Sequence, residues 1–104
     1  MSAFGIGTNT QKTDAGRIRG NQIDIECACW FTSRKKPIPY LVKFVDENSE
    51  IQTVREIRVK CMDQKNYSGI PSLEYVCTIT INEIMHDVKL IFFQTECKWI
   101  MTFL

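Results

Sequence analysis

The chain has 104 residues, of which 44% are hydrophobic and 11% aromatic, and this fits one globular domain rather than a disordered chain. Its formal net charge of +1 gives no general attraction to nucleic acid or to an anionic membrane. No apolar run approaches the ~20 residues of a membrane-spanning helix, and the first residues lack the apolar stretch of a secretory signal. We therefore expect a cytoplasmic protein, away from membranes, whose five cysteines are reduced.

The N-terminal stretch differs in composition from the rest of the chain. Residues 1–21 hold four of the five glycines among Thr, Asn, Gln, Lys and Arg, with Phe4 and Ile6 as apolar anchors. This composition predicts a flexible, disordered N-terminal arm. Residues 22–104 are then expected to form a single β domain.

Alternating polarity predicts the first two strands. Over residues 22–32 every second residue is hydrophobic, from Ile23 to Phe31, and this alternation is typical of a strand with one buried face. Pro37 and Pro39 have no amide hydrogen, so they exclude a central sheet position until about Tyr40. We expect the second strand over residues 40–45, followed by a turn at residues 46–49.

Residues 50–62 fit two secondary structures. As a strand they alternate strictly from Glu56 to Met62 and are rich in β-branched residues. As a helix they could begin with a capping box of Ser49 and Gln52, followed by a loose apolar stripe. The short turn before the segment favours a hairpin, so we predict a strand and keep the helix as the alternative.

The second half of the chain predicts three more strands and an all-β fold. Turn-forming residues between positions 63 and 72 predict a loop that is long for a hairpin connection. About six antiparallel strands are then expected to form a small barrel or sandwich. The last three are predicted over residues 73–81, 88–93 and 97–103, with turns over 82–87 and 94–96.

The last predicted hairpin is apolar on both faces. Residues 90–93 and 99–101 run without a polar break, whereas a strand with one face in water should alternate. Both faces of this hairpin are therefore expected to be covered. If the turn has no bulge, the inward set is Leu90, Phe92, Trp99 and Met101, and the outward set is Ile91, Phe93, Ile100 and Thr102.

The outward side chains of this hairpin predict an interaction surface. Contiguous apolar patches of this kind are rarely left bare on monomers and tend to mark interfaces. We predict that a protein partner or a second copy of the chain covers a patch made of Trp30, Ile91, Phe93 and Ile100. The alternative is an intramolecular cover, either by Phe4 and Ile6 of the arm or by a helix over residues 50–62.

A basic loop between the first two strands supports an alternative function. Proteins that bind single-stranded nucleic acid on small barrels combine a cationic groove with aromatic side chains on which bases stack. Aromatic residues flank the loop on both sides, and the loop itself is basic. The candidate nucleic-acid patch is Arg34, Lys35, Lys36 and Tyr40.

No group of residues predicts catalysis, metal binding or a cofactor. All five cysteines fall at positions of an apolar strand face, where cysteine usually acts as a small buried hydrophobic residue. Cys27 and Cys29 lie on one strand and not in a Cys-x2–4-Cys loop, the usual zinc spacing. His86, the single histidine, is expected in a solvent-facing turn. The predicted function is a non-enzymatic interaction module, with a nucleic-acid-binding small barrel as the alternative.

Short strand motifs follow one another in a fixed order over residues 36–102. They are Pro39, residues 42–44, Asp46, residues 57–59, Gly69, residues 75–79, residues 90–92 and the pair Lys98 and Trp99. This order resembles that of a group of short, uncharacterised proteins from Firmicutes, in which Trp usually stands at the position of Phe44. The resemblance implies a small β-barrel-like domain and implies no activity.

Overall fold

The structure, a computed structural model, describes residues 21–34 and 36–104. The predicted flexible arm over residues 1–21 lies outside the described part of the chain, except for Asn21. The described residues contain no helix and form one seven-stranded antiparallel sheet. Its strands are β1 (Ile23–Phe31), β2 (Pro37–Val45), β3 (Ile51–Val54), β4 (Ile57–Tyr67), β5 (Ile70–Ile81), β6 (Ile84–Phe93) and β7 (Lys98–Phe103).

The strands lie in the order β3-β2-β1-β7-β6-β5-β4, so the first and last strands of the chain pair near the centre of the sheet. Twist curls the sheet into a half-barrel, which brings β3 close to β5 and β2 close to β4. The Thr80 N–H donates to the Glu56 carbonyl at 3.3 Å, which extends the pairing of β4 and β5 one position beyond Ile57 and Ile79. The predicted all-β antiparallel fold is confirmed.

Residues 50–62 contain two strands rather than one, which raises the count from six to seven. β3 ends at Val54 and β4 begins at Ile57, with Arg55 and Glu56 between them. Val54 pairs with Val42 of β2 and is 1% exposed, so its β-branched side chain fills the interior of the half-barrel. The alternative helix over this segment is wrong, because pairing with β2 uses its backbone groups.

The predicted loop over residues 63–72 is also wrong. β4 and β5 continue through this segment as a long hairpin closed by a two-residue turn, Ser68 and Gly69. Both turn residues have positive φ, 51° and 82°, as a type I′ turn requires. Pro71 fits within β5 because it pairs with Asn66 on one side, while pairing with β6 begins only at Ser72.

The turn expected over residues 82–87 is shorter as well. Only Asn82 and Glu83 turn, with φ of 50° and 68°, and β6 begins at Ile84. Two residues with positive φ match the right-handed twist of the flanking strands, so no longer connection is needed. His86 therefore lies within β6 and not in the turn where it was expected.

The inner face of the half-barrel holds the main hydrophobic core. Leu90 pairs with Met101 and Phe92 with Trp99, so the predicted register of the last hairpin, without a bulge, is confirmed. Each fully buried side chain of this size stabilises the fold by roughly 1.5–3 kcal/mol. The buried residues of this core are Val42, Phe44, Val54, Leu73, Tyr75, Cys77, Ile79, Val88, Leu90, Phe92, Trp99 and Met101.

A second, smaller cluster lies on the outer face of the same sheet. This outer-face cluster consists of Tyr67, Ile91, Phe93 and Ile100. Ile91 is 0% exposed and Ile100 is 3% exposed. The expectation that both faces of the last hairpin are covered is therefore confirmed.

The turn at Gly69 gives a stability prediction. A Cβ at Gly69 would meet no atom within 4 Å, so substitution there is costly only because φ is +82°. We expect Gly69→Ala to lower the free energy of unfolding by about 1–2 kcal/mol, the cost of a left-handed conformation for an L-residue. Gly69→Asn is the matched control and should cost less, because Asn tolerates this conformation. Urea denaturation measures both, and equal losses for the two variants would contradict this account of the turn.

Candidate interaction surface

The structure brings together three of the four residues of the predicted protein-interaction patch. Ile91, Phe93 and Ile100 meet in the outer-face cluster, where Tyr67 joins them. All three point outward as predicted, but they are buried within a single copy of the chain. Trp30 does not join them. Asp24 of β1 pairs with Ile100, and Trp30 lies six residues further along β1. Trp30 is therefore ~20 Å from Asp24 along the strand.

Trp30 instead belongs to an exposed aromatic surface at the end of the β1–β2 hairpin. Its ring stacks on that of Tyr40, with centroids 5.0 Å apart and an angle of 27° between the planes. Trp30 is 65% exposed and Tyr40 is 43% exposed. Ile38, directly opposite Trp30 on β2, is also exposed. We call these three residues, Trp30, Ile38 and Tyr40, the aromatic hairpin surface.

A β-bulge creates this surface. Ala28 pairs with Leu41 and Cys29 pairs with Pro39, which leaves Tyr40 as an extra residue on β2. A bulge redirects the side chain of the extra residue. Tyr40 therefore lies beside Trp30 on the exposed side, while Pro39 remains buried.

The loop end of the β1–β2 hairpin is fixed to the inner core. The Tyr75 hydroxyl donates to the Pro37 carbonyl at the start of β2. Tyr75 packs on Trp99, whose ring lies 4.9 Å from that of Phe92. Burial, and then the charges of the nearby cysteines, raise the pKa of Tyr75 to about 12, so its hydroxyl remains a donor at neutral pH. The aromatic hairpin surface thus extends from a rigid support.

Exposure of these rings is unusual within this protein. Ten of the eleven aromatic residues lie in the described ranges, and six of those ten are buried. The four exposed ones are Trp30, Phe31, Tyr40 and Phe103, so three of the four belong to the β1–β2 hairpin. Phe31 is 68% exposed and follows Trp30 directly. A surface that keeps its large rings in water here is a candidate binding site.

The predicted nucleic-acid patch lies at the same hairpin. Arg34 and Lys36 are exposed in the loop between β1 and β2, and Tyr40 belongs to the aromatic hairpin surface. Thr32 closes the loop, since its backbone N–H donates to the Lys36 carbonyl at 3.4 Å and its hydroxyl accepts from the Arg34 N–H at 3.3 Å. Lys35 falls outside the described residues.

His86 is half-buried in β6 and meets the edge of the Phe103 ring, with centroids 5.5 Å apart. It lines an open cavity of about 630 Å³ at one end of the half-barrel, together with Phe44 and Asp46. Of the described residues that line this cavity, none is a serine, threonine or cysteine. His86 therefore has no nucleophile to activate there.

Two carboxylates, Asp46 and Asp87, are held by hydrogen bonds that fix strand geometry. Hydrogen bonds from Gln52 and from two backbone amides hold the pKa of Asp46 below its usual range and close the β2–β3 turn. Hydrogen bonds from Lys60 and Thr78 lower the pKa of Asp87. Within residues 21–34 and 36–104, no three or more His, Cys, Asp or Glu side chains group as they would to hold a metal ion.

The five cysteines are free thiols in different environments. Cys77 is buried and Cys27 and Cys29 are half-buried, in agreement with the predicted apolar face. Cys61 and Cys97 are exposed, so the prediction is wrong for these two. A bulge between Val59 and Cys61 moves Cys61 to the outer face, where it pairs with Val76. Cys97 lies in the turn before β7, with φ of 51°.

Sequence reasoning missed two residues that matter at these surfaces. Ile38 was excluded from the second strand because prolines flank it, although prolines are tolerated where a strand has a neighbour on one side only. Tyr67 was assigned to a loop. The Ser68-Gly69 pair between two alternating segments is the signal that could have placed Tyr67 at the end of a strand.

The described part of the chain contains no helix that is long and apolar enough to cross a membrane. Comparison of the chain with known protein families, with curated proteins and with solved structures finds no match. The resemblance to the Firmicutes group therefore stays a prediction.

The thiol environments predict stepwise reaction with a thiol reagent. Burial raises the pKa of Cys77 to about 12, and burial with the charge of Cys29 does the same for Cys27. A raised pKa leaves almost no reactive thiolate at pH 8. We expect Cys61 and Cys97 to react fast in the native protein and Cys77 only on unfolding, as followed by absorbance with an aromatic disulfide reagent.

The control for this experiment is the double variant Cys61→Ser with Cys97→Ser, which should lose the fast phase alone. A fast phase that persists in this variant would contradict the assignment of the exposed thiols.

Proposed function

We propose that this protein is a non-enzymatic interaction module that binds a protein partner through the aromatic hairpin surface. The observation that carries the proposal is the stacked pair of Trp30 and Tyr40, which stays largely in water on a chain that buries most of its other large rings. Tryptophan and tyrosine are the residues that most often dominate the binding energy of protein interfaces.

The geometry of the pair favours binding at low entropic cost. Trp30 and Tyr40 already hold each other in a stacked arrangement, and the bulge at Ala28 and Cys29 fixes the position of Tyr40. Side chains that are ordered before binding lose less freedom when a partner arrives. Ile38 adds an aliphatic contact beside the two rings.

Reduced thiols fit a cytoplasmic location, which we propose together with this function. The partner is either another protein or a second copy of this chain. In both cases the contact would form at the hairpin, because the outer-face residues Ile91, Phe93 and Ile100 are inaccessible in the single chain.

A second candidate function is binding of single-stranded nucleic acid at the same hairpin. Arg34 and Lys36 lie in the loop next to the aromatic hairpin surface, and a base could stack on the exposed face of Trp30. The small number of cations in the loop and the net charge of +1 weigh against tight binding.

A matched pair of double variants tests the interaction surface. Trp30→Ser with Tyr40→Ser should stay folded and lose bound protein or self-association, because it removes exposed rings without touching the core. The control, Ile84→Ser with Met85→Ser, removes two apolar side chains at the start of β6 that are also exposed, by 60% and 71%. Sedimentation and affinity capture compare wild type with both variants. If both variants bind as wild type does, the aromatic hairpin surface is not the binding site.

Fluorescence anisotropy with a single-stranded oligonucleotide tests the second candidate. We expect wild type to bind no tighter than the non-specific range of roughly 0.1 mM to 1 µM at physiological salt. A tighter affinity that falls steeply with salt would favour nucleic-acid binding. Replacing Arg34, Lys35 and Lys36 by Ser should then abolish binding. Each phosphate contact releases counterions from the nucleic acid, and the variant loses the binding free energy that this release supplies.

A further inference from the structure

The outer side of the β1–β2 hairpin consists of three cross-strand pairs whose members complement each other. Counted from the loop end, the pairs are Trp30 with Ile38, Ala28 with Leu41 and Glu26 with Lys43. They match a large ring with an aliphatic side chain, a small side chain with a larger one, and an anion with a cation. Cys27, Cys29 and Val42, which lie between these residues along the strands, face the inner core, so all six members of the pairs lie on the outer side.

The two charges of this face are unpaired within one copy of the chain. Glu26 and Lys43 are both exposed, and within residues 21–34 and 36–104 neither side chain forms an ion pair or a hydrogen bond. Lys98 on the neighbouring strand β7 is bound to Asp24, with 3.4 Å between Nζ and Oδ1. Glu26 and Lys43 are therefore available to the charges of a partner.

We propose that the partner of the aromatic hairpin surface is a second copy of the chain, packed hairpin on hairpin. The inference rests on the proposed function, since it names the partner of the same surface. The two-fold axis runs along the face between β1 and β2, so it sets each residue of β1 in one copy against its cross-strand partner in the other copy. Trp30 of each copy then packs on Ile38 of the other, and Glu26 of each copy faces Lys43 of the other.

The pairs favour this arrangement over other contacts. In a symmetric dimer every contact forms twice, so two ion pairs and two contacts between Trp30 and Ile38 result from one surface. A two-fold axis running across the strands at Glu26 would instead set Glu26 against Glu26. Residues 26–30 of β1 extend ~13 Å. The face is therefore small, and the expected dimer is a weak one that dissociates on dilution.

Exchange of the charges tests this arrangement by sedimentation equilibrium. Glu26→Lys and Lys43→Glu should each weaken the wild-type dimer about tenfold or more, because two attractive contacts become two repulsive ones. An equal mixture of the two variants should regain the wild-type association, since the mixed dimer holds opposite charges at both contacts. The matched control, Glu83→Lys, makes the same change in the exposed turn between β5 and β6 and should associate as wild type does.

The double variant Glu26→Lys with Lys43→Glu keeps the test decisive if a single variant fails to fold, because it retains one charge of each sign on the hairpin. It should self-associate as wild type does. It should form no mixed dimer with wild type, because like charges would meet at both contacts. Native mass spectrometry of this variant mixed with mass-tagged wild type measures the mixed dimer, and its formation in the statistical proportion would contradict the proposal.

Other outcomes separate this proposal from the proposed function. A wild type that stays monomeric at its highest soluble concentration would overturn the second copy as partner, but would leave the proposed function to its own test. A dimer that is lost in Trp30→Ser with Tyr40→Ser but indifferent to charge exchange would keep the surface and overturn the two-fold arrangement. A dimer that neither change affects would place the contact elsewhere and contradict both proposals.

Discussion

The β6–β7 hairpin, which is apolar on both faces, is the constraint on which the rest of the structure depends. Leu90 and Met101 face each other on the inner side, and Ile91 and Ile100 do the same on the outer side. Apolar side chains on both sides of one sheet must both leave water. The inner demand is met by curling the sheet around the core, and the outer side chains Ile91 and Ile100 are also buried within a single copy of the chain.

The curl also explains why the candidate interaction surface lies where it does. The inner core takes up Tyr75, Phe92 and Trp99, and Tyr75 holds the start of β2 through the Pro37 carbonyl. At this end of the hairpin Pro37 and Pro39 are buried, whereas Trp30 and Tyr40 lie on the exposed side and stack on each other. Exposed rings that are already ordered lose less conformational freedom when a partner binds.

Periodicity predicted the strands, the faces of the last hairpin and the all-β class, because side chains alternate wherever pairing is regular. The failures occurred where pairing is irregular. One bulge moved Cys61 to the outer face and another placed Tyr40 beside Trp30, and a bulge leaves the two-residue period of the sequence unchanged. Asn66 and Pro71 read as loop residues although they pair with each other close to a tight turn.

The most direct test of the two-sided hairpin is the loss of stability in Leu90→Ala compared with Ile91→Ala. These neighbouring residues are both 0% exposed but point to opposite faces. If both faces are covered, each substitution should lower the free energy of unfolding by about 2–5 kcal/mol in urea denaturation, because each leaves a buried cavity. A loss for Ile91→Ala within about 0.5 kcal/mol of zero, the range typical of surface sites, would contradict a covered outer face.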